Sequence, residues 1–336
     1  MKRGESGLSL LIGVDKPKGM TSHDVVNRVR RIFGERRVGH TGTLDPLASG
    51  VLPICIGPAT RLNNYLTSHD KRYLVTVRFG EETSTDDSEG EVVASQPVPS
   101  HLFDEDFARS CVRGLIGTHE QVPPAYSAVK VDGKKSYERA RKGEKVDLQP
   151  RTITVYDAEL LLMNEVAGGS QVEWIMTISV SKGTYIRSLA RDLGRAIGCP
   201  AHVSELSRSQ AGRITAKDCF SLEALESMHE QGISCAIDPV RALGLRFAFV
   251  DDFEKTVSNG GALNVTDVKL YHPLEMSSDD SFCACTSGIC ASEEVPKSGE
   301  LICLILANRL KAIYEFDSND LRWHSRCQFA VGVSRV

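Results

Sequence analysis

The 336-residue sequence has no run of about 18 apolar residues, so nothing in it predicts a membrane-spanning helix. The N-terminus turns apolar at Leu8-Ser9-Leu10-Leu11-Ile12, but Gly13, Asp15 and Lys16 break that stretch too early for a signal peptide. Ten cysteines are too sparse for a disulfide scaffold, which predicts free thiols in a reducing compartment, the cytoplasm. No dinucleotide fingerprint and no P-loop is present to mark a nucleotide cofactor. A net positive charge is missing as well: the formal total is −4, which taken as a sum argues against a nucleic-acid partner.

The distribution of that charge argues the other way. Residues 221–336 carry 17 acidic and 10 basic side chains, whereas residues 1–220 carry 27 acidic and 30 basic. Local clusters of cations, not the sum, decide phosphate contact. Arg28, Arg30, Arg31, Arg36 and Arg37 form one such cluster. They lie on and after a helix predicted from about His23 to Phe33, capped by Thr21-Ser22, with Val25, Val26, Val29 and Ile32 on one face. Either they cover a solvated helix face or they grip phosphate with paired guanidinium donors. A composition of 41% hydrophobic and 25% charged residues suits one large or two ordinary domains with real cores.

The stretch from Arg37 to Gly50 holds three glycines, His40, Asp45 and Pro46 and is too punctuated for a helix or a regular strand. Pro46 restricts both itself and Asp45 to extended or turn geometry. Val51-Leu52-Pro53-Ile54-Cys55-Ile56 then reads as a short buried strand. Asp45 therefore sits on a stiff loop entering a core strand, either as a reactive side chain or as a turn residue capping its own backbone.

Further on, Lys71 to Gly80 alternates like a strand and Glu81 to Gly90 is an acidic turn. Residues 94–103 read as a connection, and Phe107 to Leu115 as a helix. Gln121 to Tyr137 mixes a double proline, Gly133, two tyrosines and several lysines, and Arg139, Arg141, Lys142 and Lys145 follow. Basic side chains interleaved with aromatics suit an RNA backbone with unstacked bases. Arg151 to Tyr156 and Val172 to Val180 are predicted strands, the second leading through Gly183 into a helix with Leu189 and Leu193 facing inward. His202 reads as a structural histidine at a helix–loop junction.

Gly39-His40-Thr41-Gly42-Thr43-Leu44-Asp45-Pro46-Leu47-Ala48-Ser49-Gly50 resembles the catalytic loop of TruB-type pseudouridine synthases, whose motif G-H-T-G-x-L-D-P-x-A-x-G it matches at every fixed position. Over the first two-thirds of the chain, four further segments resemble the family: the Lys16-Pro17-Lys18-Gly19 loop, Lys71-Arg72-Tyr73, the P-P-x-Y-S-A-x-K-x-x-G segment from Pro123 to Gly133, and Lys182-Gly183-Thr184-Tyr185-Ile186-Arg187 with Asp192-Leu193-Gly194. Two departures stand out. Ser84 replaces the first Asp of T-D-T-x-D-x-x-G, and Ser207 replaces the first Arg of A-H-x-x-x-L-R-R-x-x-x-G, which puts one phosphate contact in doubt.

The resemblance implies an α+β chain with a mixed, largely antiparallel sheet, flanking helices and a thumb insertion at about 121–149, within a catalytic region 1–235. It also implies a small β-rich, PUA-like end over 236–336. The implied reaction isomerises uridine to pseudouridine in the T-loop of tRNA, at position 55, by flipping the base out. Asp45 is the implied nucleophile or base, Arg187 its ionic partner and Tyr185 its orienting or proton-moving neighbour. Tyr73 stacks on the flipped uracil, His40 fills the space it vacates, and Leu206 walls the pocket. Asp87, Lys16, Arg208 and Lys130 complete the implied substrate contacts. The implied partner is the tRNA T-arm, bound by a monomer with no metal. Two rivals differ in class: a non-catalytic RNA-binding or folding helper using the same basic face, and a synthase acting on ribosomal or messenger RNA.

Past Ser234 the chain is acidic, with strand-like runs at Arg246 to Val250, Leu301 to Leu306 and Leu310 to Glu315, and Asn308-Arg309 suits the turn of a hairpin. Residues 272–299 read as a polar insertion. Cys283, Cys285 and Cys290 within it lack a fourth ligand for zinc at standard spacing.

Overall fold

The computed structural model describes residues 6–335 except 128, 132, 133, 137, 138, 140–146, 167, 169 and 275–288. It divides into two compact units. The first comprises residues 1–45, 50–68 and 211–336, the second 46–49 and 69–210. No described helix is long and apolar enough to cross a membrane.

The first unit opens with strand β1 (Leu10–Lys16), helix α1 (Ser22–Ile32), β2 (Val38–His40) and β3 (Ser49–Ile56). β3 pairs antiparallel with both β1 and β2. The Gly-rich stretch thus begins as a three-residue strand before it becomes a loop. α1 starts one residue before the expected His23: Thr21 and Asp24 form a reciprocal capping box, and Val25, Val26, Val29 and Ile32 are buried.

The second unit holds β4 (Lys71–Phe79), the short pair β5 (Glu81–Thr83) and β6 (Val92–Ser95), helix α2 (Glu105–Arg113), β7 (Gly117–Gln121), β8 (Arg151–Val166), β9 (Gln171–Val180), helix α3 (Ile186–Ala196) and β10 (Ala201–Ala211). The strands run in the order β10, β4, β9, β8, β7, and β4–β9, β9–β8 and β8–β7 are antiparallel. β9 shows why: Val172, Trp174, Met176, Ile178 and Val180 are buried and their neighbours are not, the period of two that one covered sheet face imposes. Trp174 keeps its indole N–H satisfied by the Leu102 carbonyl at 3.1 Å. His202 is a correction. It stands on strand β10, not at a helix–loop junction, and its buried ring bonds the Glu81 carbonyl at 2.9 Å. Its role is structural, as expected, but the segment has a single β-branched residue, Val203, and pairing with β4 is what makes it a strand.

The rest of the first unit adds β11 (Cys219–Phe220), parallel to β1, helices α4 (Leu222–Glu230) and α5 (Pro239–Leu243), and a second sheet. That sheet is built from β12 (Arg246–Phe249), β13 (Leu263–Asn264), β14 (Leu301–Leu306), β15 (Arg309–Asp317) and β16 (Arg322–Ser334), in the order β12, β14, β15, β16, β13. β14 is apolar at every position because both its faces are covered. Cys303 and Ile305 join a core with Leu11, Val51, Cys55 and Phe247, while Ile302, Leu304 and Leu306 join another with Val257, Tyr314 and Trp323. The β14–β15 turn lies one residue earlier than expected. Ala307 and Asn308, both at positive φ (47° and 54°), occupy the two central positions, and Arg309 already pairs with Leu306.

Gly194 in α3 shows how tightly the second unit's helix is set. A Cβ there would lie 2.6 Å from the Cys199 carbonyl oxygen and 2.7 Å from the Ala201 Cβ. Alanine gains about 1 kcal/mol of helix propensity, but overpacking a well-filled site costs about 1–3 kcal/mol. Gly194→Ala is therefore expected to lower the denaturation midpoint, and an unchanged or raised midpoint would show that α3 has room to move.

Candidate active site

Asp45 is held by what flanks it. Ser22, buried at the first turn of α1, accepts the Leu44 N–H on its hydroxyl and donates that hydroxyl to the Leu44 carbonyl, both at 2.8 Å. Thr41 N–H bonds the Pro53 carbonyl at 3.1 Å, and Gly42, at φ +140°, donates to His40 Nδ1 at 3.3 Å. Leu44, Leu47 and Ala48 are buried while Asp45 and Pro46 stay partly exposed. The loop thus buries its apolar residues and leaves Asp45 partly exposed between them. Lys16 is fully buried, and its ammonium donates to the carbonyls of Pro17 and Met20, so its head faces its own loop.

Tyr73, Asp87, Tyr185, Arg187, Leu206 and Arg208 belong to the second unit. Tyr73 is buried on β4, and Leu206 and Arg208 are buried on β10. Tyr185 caps the N-terminus of α3 in extended geometry (φ −100°, ψ 109°). Two residues on, Arg187 is 5% exposed and anything but a surface arginine. Its Nη1 lies 3.3 Å from Asp87 Oδ2 and donates to the Thr85 carbonyl at 2.8 Å, while Nη2 donates to the Tyr126 carbonyl at 3.0 Å. Asp87 is itself fixed by the Thr85 hydroxyl at 2.5 Å and the Glu89 N–H at 3.1 Å. The Lys130 side chain, Cys283 and Cys285 lie outside the described residues. Among the described residues, Asp317, Asp320 and His324 are spaced for a metal, on an exposed turn.

Three residues of this site went unnoticed in the sequence. Arg191, one turn after Arg187 on α3, pairs with Asp86 at 2.9 Å and donates to the Val122 carbonyl at 3.0 Å. Burial pushes the Asp86 carboxyl up from its ordinary value although Arg191, and then Arg187, pull it down. Gln121, at the end of β7, bonds both backbone groups of Tyr185. The readable signal was charge matching: Arg187 and Arg191 share one helix face four residues apart, and Asp86-Asp87 is a matching pair of acids.

The arginine-rich segment sorts itself by partner. Arg28 pairs with Glu226, and Arg37 donates to the Thr60 hydroxyl at 2.8 Å. Arg30, Arg31 and Arg36 line a surface groove of about 490 Å³ together with Asn27.

Residues 30–186 match the profile of the TruB family pseudouridylate synthase N-terminal domain, and residues 187–243 that of the tRNA pseudouridylate synthase B C-terminal domain. The chain belongs to the TruB family of pseudouridine synthases. It is 43% identical over 256 residues to the tRNA pseudouridine synthase B of Geobacillus thermodenitrificans (strain NG80-2), covering 75% of this chain and 84% of that one. With the same-named protein of Bacillus cytotoxicus it shares 46% over 217 residues, 65% of this chain and 70% of the other. Among solved structures, a Cbf5-Nop10-Gar1 complex aligns at TM-score 0.67 and 25% identity over 98% of this chain and 86% of that one. An H/ACA RNP bound to a substrate RNA containing 2'-deoxyuridine aligns at 0.63 and 24%, over 97% and 85%, and shares the fold. The family reaction is the isomerisation of uridine to pseudouridine, and the mixed α+β fold expected from the resemblance is the one found.

Lys71 offers a pH test of this region. It stands two residues before Tyr73, on the same face of β4. Burial, aided by the Arg208 guanidinium, pushes its ammonium from the ordinary 10.5 down to about 8. The folded chain therefore binds fewer protons than the unfolded chain between those two values, and stability rises with pH across that window. Denaturant midpoints measured from pH 7 to 10 are expected to climb for wild type relative to Lys71→Met; parallel curves would show Lys71 to be solvated like a surface lysine.

Proposed function

We propose that this enzyme converts uridine 55 in the T-loop of tRNA to pseudouridine, acting as a single chain and without metal or cofactor. The observation that carries the proposal is the anchored Gly39–Gly50 loop, which keeps Asp45 partly exposed while Leu44, Leu47 and Ala48 are buried. The functional division follows the resemblance: catalysis in 1–235, with a thumb at about 121–149, and a PUA-like end over 236–336.

The reaction breaks the N1–C1′ bond, turns the uracil and joins C5 to C1′; C5 then loses its proton and N1 gains one. A stacked T-loop uridine must first leave its stack, at a cost of a few kcal/mol. The cationic face binds the backbone, His40 takes the vacated space, Tyr73 stacks on the everted base, and Leu206 walls the pocket. Asp45 must be ionised while partly buried. In this scheme Arg187 is its ionic partner and fixes its rotamer. Asp87, 3.3 Å from the Arg187 guanidinium, fixes that side chain. Asp45 attacks covalently or removes a ribose proton, and Tyr185 orients it or moves that proton.

Asp45→Asn is expected to lower the single-turnover rate on T-arm RNA by at least about 10²-fold, the low end of what a positioned proton-transfer group contributes. Pseudouridine mapped in the product at a near wild-type rate would refute the scheme. Replacing Arg30, Arg31 and Arg36 with Ala is expected to weaken RNA binding and flatten its salt dependence, by about 0.7–0.9 in log–log slope for each phosphate no longer neutralised. An unchanged slope, measured by filter binding across salt concentrations, would leave that groove outside the RNA path.

A further inference from the structure

The strand that ends at Gln121 runs directly into Val122-Pro123-Pro124, the root of the thumb-like segment. Gln121 is 3% exposed, so its amide must be satisfied inside the protein. Its Nε2 donates to the Tyr185 carbonyl at 3.0 Å, and its Oε1 accepts the Tyr185 N–H at 2.9 Å. The two backbone groups dictate which end of the amide is which. A side-chain amide here acts as a neighbouring strand would: it bonds both polar groups of one residue and so fixes the backbone from which that residue's ring projects.

The next residues are tied to the same helix. Arg191 donates to the Val122 carbonyl at 3.0 Å and Arg187 to the Tyr126 carbonyl at 3.0 Å. Residues 121–126 therefore meet the start of α3 at three successive points, each of which involves Tyr185, Arg187 or the turn after it.

We propose that Gln121 is a positioning residue of this enzyme: it sets the backbone of Tyr185, and with the two arginine contacts it makes the root of the thumb-like segment part of the catalytic geometry. Glutamine suits this role on chemical grounds. Glutamate would face the Tyr185 carbonyl with a second acceptor, asparagine is one methylene short, and methionine fills the space without bonding either group. Misplacement of a catalytic group by even 1 Å costs about 10²-fold.

The inference rests on the proposed role of the Tyr185 hydroxyl, and a double-mutant cycle separates the two. Single-turnover rate, RNA dissociation constant and denaturation midpoint are measured for Tyr185→Phe, Gln121→Glu and the double variant. Gln121→Met serves in place of Gln121→Glu if the carboxylate prevents folding. The expected result is a rate loss of about tenfold or more for the Gln121 variant, with RNA affinity within about twofold of wild type. In the Tyr185→Phe background the same change is expected to cost less than about twofold, because the hydroxyl it positions is gone. Equal losses in both backgrounds, or a loss of affinity at unchanged rate, overturn the role of Gln121 while leaving Tyr185 in place. A wild-type rate for Tyr185→Phe alone overturns the Tyr185 role, and this inference with it.

Discussion

Two buried guanidiniums hold the second unit's site together. Arg187 and Arg191 project from one face of α3 between the acidic turn that follows β5 and the segment that leaves β7. Each reaches an aspartate on one side and a backbone carbonyl on the other. Buried charges are costly, and the raised pKa of Asp86 shows the cost: desolvation outweighs the attraction of both arginines. Such a network is better understood as a specifier of geometry than as a source of stability, since several donors must find several acceptors at once. Removing one partner leaves a buried charge facing nothing, whereas the intact set fixes three chain segments that are far apart in sequence.

The acidic turn is held by its geometry as well. Asp86 adopts φ 61°, a left-handed conformation that costs a non-glycine residue energy, and there its carbonyl accepts the Val203 N–H at 3.1 Å while its side chain meets Arg191. The Ser88 N–H returns the bond to the Val203 carbonyl at 3.0 Å. The turn is thereby sewn to β10, the strand that also carries Leu206 and Arg208. In the first unit a single hydroxyl has the corresponding role: Ser22 closes both backbone bonds of Leu44, the residue before Asp45. The same device recurs at Gln121 and Tyr185, a polar side chain standing in for a strand beside another residue's backbone.

Much of this was legible in one dimension. The capping box and apolar stripe of α1, the strict alternation in β9, and the Gly-His-Thr-Gly loop before an apolar strand are local patterns with local causes. What escaped were polar residues whose partners are distant. Arg191 drew no reading of its own, Gln121 stood at the head of a basic and aromatic segment suited to RNA, and Glu81 to Gly90 read as an acidic turn, because nothing local says that Asp86 and Asp87 are buried. His202 was misplaced onto a helix–loop junction for a related reason: its strand is defined by pairing with β4, some 130 residues earlier. The turn at Ala307-Asn308 slipped by one residue because asparagine tolerates either central position.

Sequence alone determined the strands and helices with a clear hydrophobic period, the stiff loop bearing Asp45, and the family to which that loop belongs, since each depends on neighbours along the chain. Tertiary structure decided which charges are buried and with whom: Arg187 with Asp87, Arg191 with Asp86, and Gln121 with a tyrosine backbone. Those choices require segments distant in sequence to meet in a low-dielectric interior, where an unmatched polar group is too costly to keep.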